Sequence, residues 1–180
     1  MSIQEFDGKR PRLDQTVYLA SNATIVGDVE VGSEGSIWSN AVIRGDSQAI
    51  RIGRRVNIQD NVVIHSPLNI PVIIGDDVTI GHSAILHGCK ISNNVLIGMG
   101  AIILDGSNIS NWVLVGAGTL VTPNTTIPSR SLVLGVPGKV TRQLNDEEIR
   151  IIKTNVEEYV DLAKKYKVTK ESAREKDSSN

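Results

Sequence analysis

The stretch ILHGCKISNNVLIGMGAIILDGSNISNWVLVGAGTLVTPNTTIPSRSLV (residues 85–133) carries an apolar residue at every sixth position. These nine positions are all β-branched aliphatics: Ile85, Ile91, Ile97, Ile103, Ile109, Val115, Val121, Ile127 and Val133. A period of six is neither the 3.6-residue period of a helix nor the strict alternation of one long strand. It predicts an all-β solenoid of short parallel strands, in which three hexads close one triangular coil of about 18 residues.

The same six-residue step runs through the earlier part of the chain, with three irregularities. It passes through Leu19, Ile25, Val31, Ile37 and Ile43, then Ile52, Ile58 and Ile64, then Ile74 and Ile80. The step lengthens to nine after Ile43 and to ten after Ile64, and it shortens to five after Ile80. The long steps predict outward loops at residues 47–49 and 66–71, and the short step predicts a one-residue deletion. Irregularities in so regular a repeat point to functional sites.

The pattern changes after residue 140. Residues 145–148 (NDEE) match a helix N-cap with a glutamate three residues on. Apolar residues then follow at helical spacing: Ile149, Ile152, Val156, Val160 and Ala163. We therefore expect a β-helix domain at 1–140 and a C-terminal amphipathic helix at 141–168. The helix is expected along one wall of the coil or against a neighbouring subunit, and the polar residues 169–180 form a disordered tail.

Composition narrows the class of protein. The chain of 180 residues has 19 basic and 20 acidic side chains, a net charge of −1, which argues against nucleic-acid or anionic-membrane partners. Its single cysteine fits a reducing compartment. No apolar run approaches the ~20 residues of a membrane span, and no apolar signal region follows Met1. We therefore expect a cytoplasmic protein built around a single hydrophobic core.

The three histidines of the chain, His65, His82 and His87, fall close together in the sequence. If Ile64 and Ile85 occupy one wall, one coil apart, then His65 and His87 lie near each other on that wall. One coil rise of ~4.8 Å suits two imidazoles that bind one metal with bonds of ~2.1 Å. His82 lies around a corner and cannot reach the other two within its own chain.

A symmetric trimer would bring the third histidine to the other two. About a threefold axis, His82 of a neighbouring coil can face His65 and His87, giving one three-histidine site at each interface. Three neutral imidazoles with an open position describe a catalytic Zn²⁺ site, although Fe²⁺ and Co²⁺ fit the same ligand type. A lone histidine is more often a structural residue, but three in one window favour a site.

Three motifs carry a resemblance to a known family: VIRGD at 42–46, NIQDNVVIH at 57–65 and IGHSAILHGC at 80–89. The sequence resembles the γ-class carbonic anhydrases over roughly residues 11–165. The resemblance implies a left-handed parallel β-helix and a homotrimer. It also implies a lyase that reversibly hydrates CO₂ to bicarbonate through a metal-bound hydroxide at the trimer interfaces. His65 and His87 would bind the metal from one subunit and His82 from the next.

The resemblance assigns further residues to the catalytic site: Gln59, Arg44, Asp46, Asn57 and Tyr159. Arg44 and Asp46 would pair with Asp60 across or beside the interface, or form an interface ion pair without a catalytic role. Gln59 would lie near the metal-bound water and Asn57 beside it, unless both bond backbone groups at turns. Tyr159 either reaches the site from the helix or packs there.

Three residues near the histidines have open roles. Cys89 is either a small buried hydrophobe or a redox-sensitive thiol. An apolar wall for CO₂ could come from Ile64 or Met99.

The sequence departs from the best-studied family members at their proton-transfer acids. Ser47 stands where those members have a glutamate, and residues 66–71 contain no acid. Two alternatives therefore stay open. One is a hexapeptide-repeat thioesterase or acyltransferase that acts on a coenzyme A ester. The other is a metal-binding trimeric protein with little anhydrase activity.

Overall fold

A computed structural model describes residues 2–177 of the chain, with side chains for residues 3–169. It contains twenty strands and one helix in that range. The strands are β1 Ser2–Gln4, β2 Arg12–Leu13, β3 Tyr18–Leu19, β4 Thr24–Val31, β5 Ser36–Ile37, β6 Val42–Ile52, β7 Asn57–Ile58, β8 Val63–His65, β9 Val72–Ile74, β10 Val78–Ile80, β11 Ile85–His87, β12 Lys90–Ile91, β13 Val95–Ile97, β14 Ile102–Ile103, β15 Asn108–Ile109, β16 Val113–Val115, β17 Leu120–Val121, β18 Thr126–Ile127, β19 Ser131–Leu134 and β20 Lys139–Gln143, and the helix is α1 Asp146–Asp177.

The strands stack into three parallel ladders, which form the faces of a triangular solenoid. Face A holds β1, β8, β11, β14 and β17, and face B holds β2, β9, β12, β15 and β18. The long strands β4 and β6 turn the corner and belong to both faces. Face C holds β3, β5, β7, β10, β13, β16 and β19. The predicted fold is confirmed as a left-handed parallel β-helix of about seven turns with a C-terminal helix.

The core is a set of columns in which each inward side chain lies on its counterpart one coil away. The column of face A is fully or almost fully buried and consists of Ile25, Ile43, Ile64, Leu86, Ile103 and Val121. β-Branched residues suit such columns, because their stiff side chains favour strands and pack well on a pleated surface. The side chains that directly follow the inward ones point outward and form their own columns.

The predicted inward position of Ile85 is wrong. Ile85 is 37% exposed, whereas Leu86 is completely buried and pairs in register with Ile64. The six-residue step therefore continues from Ile80 to Leu86, and the five-residue step falls between Leu86 and Ile91. The deletion lies at the corner after His87, not before Ile85. Ile85 and Leu86 are both apolar, so either one satisfies the six-residue repeat. Leu86 is the inward residue because it stacks on Ile64.

The two segments at which the six-residue step lengthens differ in structure. Residues 47–49, predicted as an outward loop, lie within the continuous strand β6. The pairing of β6 with β4 shifts register opposite Gly27, so the extra residues form a bulge. Residues 66–71 do form the predicted loop, between β8 and β9.

The helix α1 begins at a capping box. The Asn145 side chain accepts a hydrogen bond from the Glu148 amide at 2.9 Å, and the Glu148 carboxylate accepts one from the Asn145 amide at 2.9 Å. This confirms the predicted cap. The helix lies on face C of its own chain, against β3, β5, β7 and β10. Its apolar side, which includes Ile152 and Val156, is buried there.

The predicted boundaries at residues 140 and 168 differ from those of the elements. Residues 139–143 form β20, which pairs antiparallel with β19, and α1 extends beyond residue 168 to Asp177. The predicted disordered tail at 169–180 thus overlaps the end of α1, and residues 178–180 lie outside the described part. Within residues 2–177, no helix combines the length and hydrophobicity that a membrane span requires.

Replacement of Leu86 tests the corrected register. We expect Leu86→Ala to lower the free energy of unfolding by about 2–5 kcal/mol, because it opens a cavity in the column of face A. The matched variant Ile85→Ala removes a half-exposed side chain and should cost about 1 kcal/mol. Urea denaturation followed by circular dichroism measures both. A larger loss of unfolding free energy in Ile85→Ala than in Leu86→Ala would show that Ile85 is the inward residue.

Candidate metal centre

Face A brings two of the three histidines together. His65 ends β8 and His87 ends β11, and the two residues pair directly in register. The Nδ1 atom of His65 lies 3.0 Å from the Nε2 atom of His87. Each histidine follows a buried residue of the face A column, so both rings point outward from the coil. The predicted proximity of His65 and His87 is confirmed; their role as metal ligands stays a prediction.

Carboxylates from the coils below and above hold the outer nitrogens of this histidine pair. Asp46 Oδ1 lies 3.1 Å from His65 Nε2, and Asp105 Oδ1 is hydrogen-bonded to His87 Nδ1. When each ring donates its outer N–H to a carboxylate, the lone pairs of the inner nitrogens are left for a ligand. Asp105 was missed by the sequence reasoning. Its signal is the coil length, because residue 105 stands 18 positions after residue 87.

Arg44 and Asp46 form an ion pair beside His65. The Arg44 Nη1 atom lies 2.5 Å from Asp46 Oδ2. Partial burial opposes ionisation of Asp46, but hydrogen bonds from Arg44 and His65 outweigh it and lower the pKa of this carboxyl. The predicted contact of Arg44 and Asp46 with Asp60 is absent within the described chain, where Asp60 pairs with His82 instead. A contact across an interface stays a prediction.

His82 lies at a different corner, between β10 of face C and β11 of face A. Its Nδ1 atom is 2.9 Å from Asp60 Oδ2, and its backbone N–H donates to Gln59 Oε1 at 3.1 Å. Among residues with described side chains, no three His, Cys, Asp or Glu residues converge as a metal site. One chain therefore presents two separate parts: the His65–His87 pair with its carboxylates, and a His82 cluster of His82, Asp60 and Gln59.

A buried row of polar side chains leads away from the His82 cluster. Gln59 Nε2 donates to Asn57 Oδ1 at 3.0 Å, and Asn57 Nδ2 donates to Thr79 Oγ1 at 2.8 Å. Thr79 Oγ1 donates to Asn155 Oδ1 of α1 at 3.0 Å. We call Gln59, Asn57, Thr79 and Asn155 the polar row. The sequence reasoning named its first two members and missed the others, because the repeat does not indicate which helix residue reaches face C.

Tyr159 packs on face C through its ring. It contacts Trp38 edge to face, with ring centroids 5.6 Å apart. Burial, with a smaller contribution from the Asp60 charge, raises the pKa of Tyr159. The predicted helix packing of this residue is therefore confirmed, and it lies on the Asp60 side of the molecule. A direct catalytic role for Tyr159 stays a prediction.

The two apolar residues considered for a CO₂ wall have different positions. Ile64 is completely buried in the face A column, so it cannot line an outer cavity. Met99 is 58% exposed and follows β13, at the corner one coil above His82. Only Met99 remains available for such a wall.

The donor geometry fits a divalent metal. Two ligands at about 2.1 Å in tetrahedral geometry are separated by about 3.4 Å, close to the 3.0 Å between His65 Nδ1 and His87 Nε2. His82 has Nδ1 engaged by Asp60, so its Nε2 is left for coordination. Three imidazoles are thus oriented by carboxylates, but one of them stands apart from the other two.

The fold places the chain among the hexapeptide-repeat β-helix proteins. It superimposes on the crystal structure of a hexapeptide transferase family protein from Anaplasma phagocytophilum with a TM-score of 0.89 and 39% identity, over 92% of this chain and 98% of that one. No protein-family model matches the chain.

Curated relatives identify the family. The chain is 58% identical over 151 residues to a Methanocaldococcus jannaschii protein named "Probable carbonic anhydrase", which covers 84% of this chain and 95% of that protein. It is 43% identical over 161 residues to gamma carbonic anhydrase 2, mitochondrial, of Arabidopsis thaliana, covering 86% of this chain and 58% of the relative. The chain belongs to the γ-class carbonic anhydrase family.

Cys89 lies at the shortened corner after His87. Its side chain is 2% exposed, and burial, supported by the nearby Asp105 charge, raises the pKa of the thiol to about 12. This environment matches the expected small buried hydrophobe and disfavours the reactive thiol.

Thiol labelling tests the state of Cys89. With a pKa of about 12, roughly one thiol in 10⁴ is ionised at pH 8, so the folded protein should react with Ellman's reagent at least 100-fold more slowly than the urea-unfolded chain. Cys89→Ser provides the blank. Rapid stoichiometric labelling of the folded protein would instead support a redox-sensitive thiol.

Proposed function

We propose that this protein catalyses the reversible hydration of CO₂ to bicarbonate. Its membership of the γ-class carbonic anhydrase family supports this reaction. The observation that carries the proposal is the contact between His65 Nδ1 and His87 Nε2, with both outer nitrogens held by carboxylates. Imidazoles that face one another and have their outer nitrogens bonded to carboxylates are typical of a metal-binding site.

The working form in this proposal is a homotrimer. The His65–His87 pair and the His82 cluster occupy different parts of one chain, so a second copy must supply the third imidazole. A threefold axis lets every subunit give its His82 to one neighbour and receive one from the other, which completes three equal sites.

The proposed ligands are His65 and His87 of one subunit and His82 of the partner subunit. We propose Zn²⁺ as the metal, and Fe²⁺ and Co²⁺ fit the same imidazoles. Such a metal supplies a hydroxide nucleophile near neutral pH by lowering the pKa of water to about 7.

The surrounding residues of the chain position these groups. Asp46, Asp60 and Asp105 each hold one histidine through its outer nitrogen, and Arg44 keeps Asp46 ionised. The Gln59 amide lies beside the His82 backbone and is proposed to bond the reacting oxygen.

The proton released by hydration has no free carboxylate relay in the proposed site. Ser47 and the loop 66–71 bring no acid, and Asp46, Asp60 and Asp105 are each engaged by a histidine. We therefore propose that the proton passes to solvent buffer, and that this step limits the rate.

Mixed trimers test whether two chains share each site. His82→Ala and His65→Ala trimers should each bind little metal, because every site lacks a ligand. Equal co-expression should restore about a quarter of the wild-type metal and activity: three quarters of the trimers are mixed, and each mixed trimer keeps one complete site of three. Metal analysis of the whole trimer population measures this, and a different tag on each chain shows that mixed trimers have formed. A site built within one chain would give no recovery.

Stopped-flow CO₂ hydration tests the reaction itself. We expect turnover by anaerobically purified, metal-loaded trimer that rises with buffer concentration, since buffer accepts the proton. The His82→Ala trimer is the control and should lose both metal and turnover. One metal per chain without turnover, in both Zn²⁺ and Fe²⁺ forms, would overturn the anhydrase proposal. Thioesterase assays with coenzyme A esters would then be the next measurement.

A further inference from the structure

We propose that Thr79 and Asn155 are positioning residues that, together with the His82 backbone N–H, fix the orientation of the Gln59 side-chain amide. The structural part stands on the hydrogen bonds of the polar row. Its catalytic consequence rests on the proposed function, in which Gln59 bonds the reacting oxygen.

The polar row is sealed from solvent over most of its length. Asn57, Gln59 and Thr79 are each at least 95% buried, and the row emerges only at Asn155 on the half-exposed side of α1. Water therefore cannot replace a missing partner easily, and buried polar groups must find their partners within the row.

The hydrogen bonds of the row all run in one direction, from the His82 backbone N–H to the Asn155 side-chain oxygen. The backbone N–H of His82 can only donate, so the atom of Gln59 that faces it must be the carbonyl oxygen. Gln59 then presents its amide nitrogen to Asn57, whose oxygen accepts and whose nitrogen donates to Thr79. With its oxygen accepting from Asn57, the Thr79 hydroxyl is left to donate to Asn155.

A threonine hydroxyl is well suited to the third place in the row. Its oxygen accepts from Asn57 and its single proton is donated to Asn155, so it links an amide donor to an amide acceptor. The Asn155 oxygen is the terminal acceptor, and it is carried by the helix rather than by the solenoid. Docking of α1 on face C therefore completes the set of partners that holds Gln59.

Loss of the Thr79 hydroxyl should weaken the hydrogen bonds that hold the side-chain amides of Asn57 and Gln59. In Thr79→Val the Asn57 amide nitrogen loses its acceptor, and a flipped Asn57 would face Gln59 with a donor instead. Gln59 would then lose the acceptor of its amide nitrogen and be held only by the His82 backbone N–H, although no atom of Gln59 has been changed. Thr79→Ser keeps the hydroxyl and should preserve the row.

The decisive measurement is the side-chain amide spectrum of Gln59 in metal-free protein. The chain has five glutamines, so ¹⁵N-glutamine labelling gives a simple spectrum, and loss of one signal pair in Gln59→Glu assigns it. We expect the Gln59 signals to shift in Thr79→Val and to stay in place in Thr79→Ser. Unchanged Gln59 signals in Thr79→Val would overturn the proposal.

The helix end of the row is tested by a second pair of variants. Asn155→Asp keeps an acceptor for Thr79 and should leave the Gln59 signals near their wild-type positions, whereas Asn155→Leu should shift them. Asn155 is half-exposed, so this pair keeps the proposal testable if Thr79→Val fails to fold. Equal shifts in both Asn155 variants would overturn the role of the helix.

Kinetics separate positioning from general stability. With metal content matched, we expect Thr79→Val to lower kcat about tenfold at unchanged KM, the effect of one neutral hydrogen bond, with rescue by Thr79→Ser. Failure of Thr79→Ser to rescue kcat would overturn the catalytic part of the proposal. If the wild-type protein lacks CO₂ hydration, the proposed function fails, and the amide spectra still decide whether the row orients Gln59.

Discussion

Every other feature of the molecule depends on the vertical stacking of inward aliphatic side chains. Ile43, Ile64 and Leu86 lie on one another in consecutive coils, at the spacing that hydrogen-bonded parallel strands impose. Because side chains alternate along a strand, the residue after each inward one must also stack, but outside. The contact between His65 and His87 is thus a consequence of core packing, and no separate loop conformation is needed to create it.

The irregularities of the repeat gather at one corner of the triangle, between faces A and B. The bulge in β6 follows Asp46, the loop 66–71 follows His65, and the shortened turn follows His87. In that turn Gly88 has a φ of +51°, and a Cβ there would approach the Pro67 side chain to 2.9 Å. The columns on the three faces stay regular, while the outward corner departs from the repeat directly beside the histidine pair.

The six-residue period was sufficient to predict the solenoid and the nearness of His65 to His87, and the NDEE cap with the helical spacing after it was sufficient to predict the helix. It could not choose between Ile85 and Leu86, because two adjacent aliphatics both satisfy a six-residue step. Asp105 was predictable in principle from the coil length. Asn155 was not, because the rotation of α1 on face C is decided by tertiary packing and leaves no periodic signal in the sequence.

The helix gives the solenoid a connection that a repeat array otherwise lacks. In a bare solenoid each coil touches only its neighbours, so the ends can peel away one coil at a time. Here Tyr166, in the second half of α1, packs on Tyr18 of the first coil, with ring centroids 5.5 Å apart, while Ile152 near the start of α1 packs in a cluster with Leu132 of the last coil. Fraying at either terminus therefore disturbs the same helix α1. The coils are thereby coupled and unfold cooperatively rather than independently.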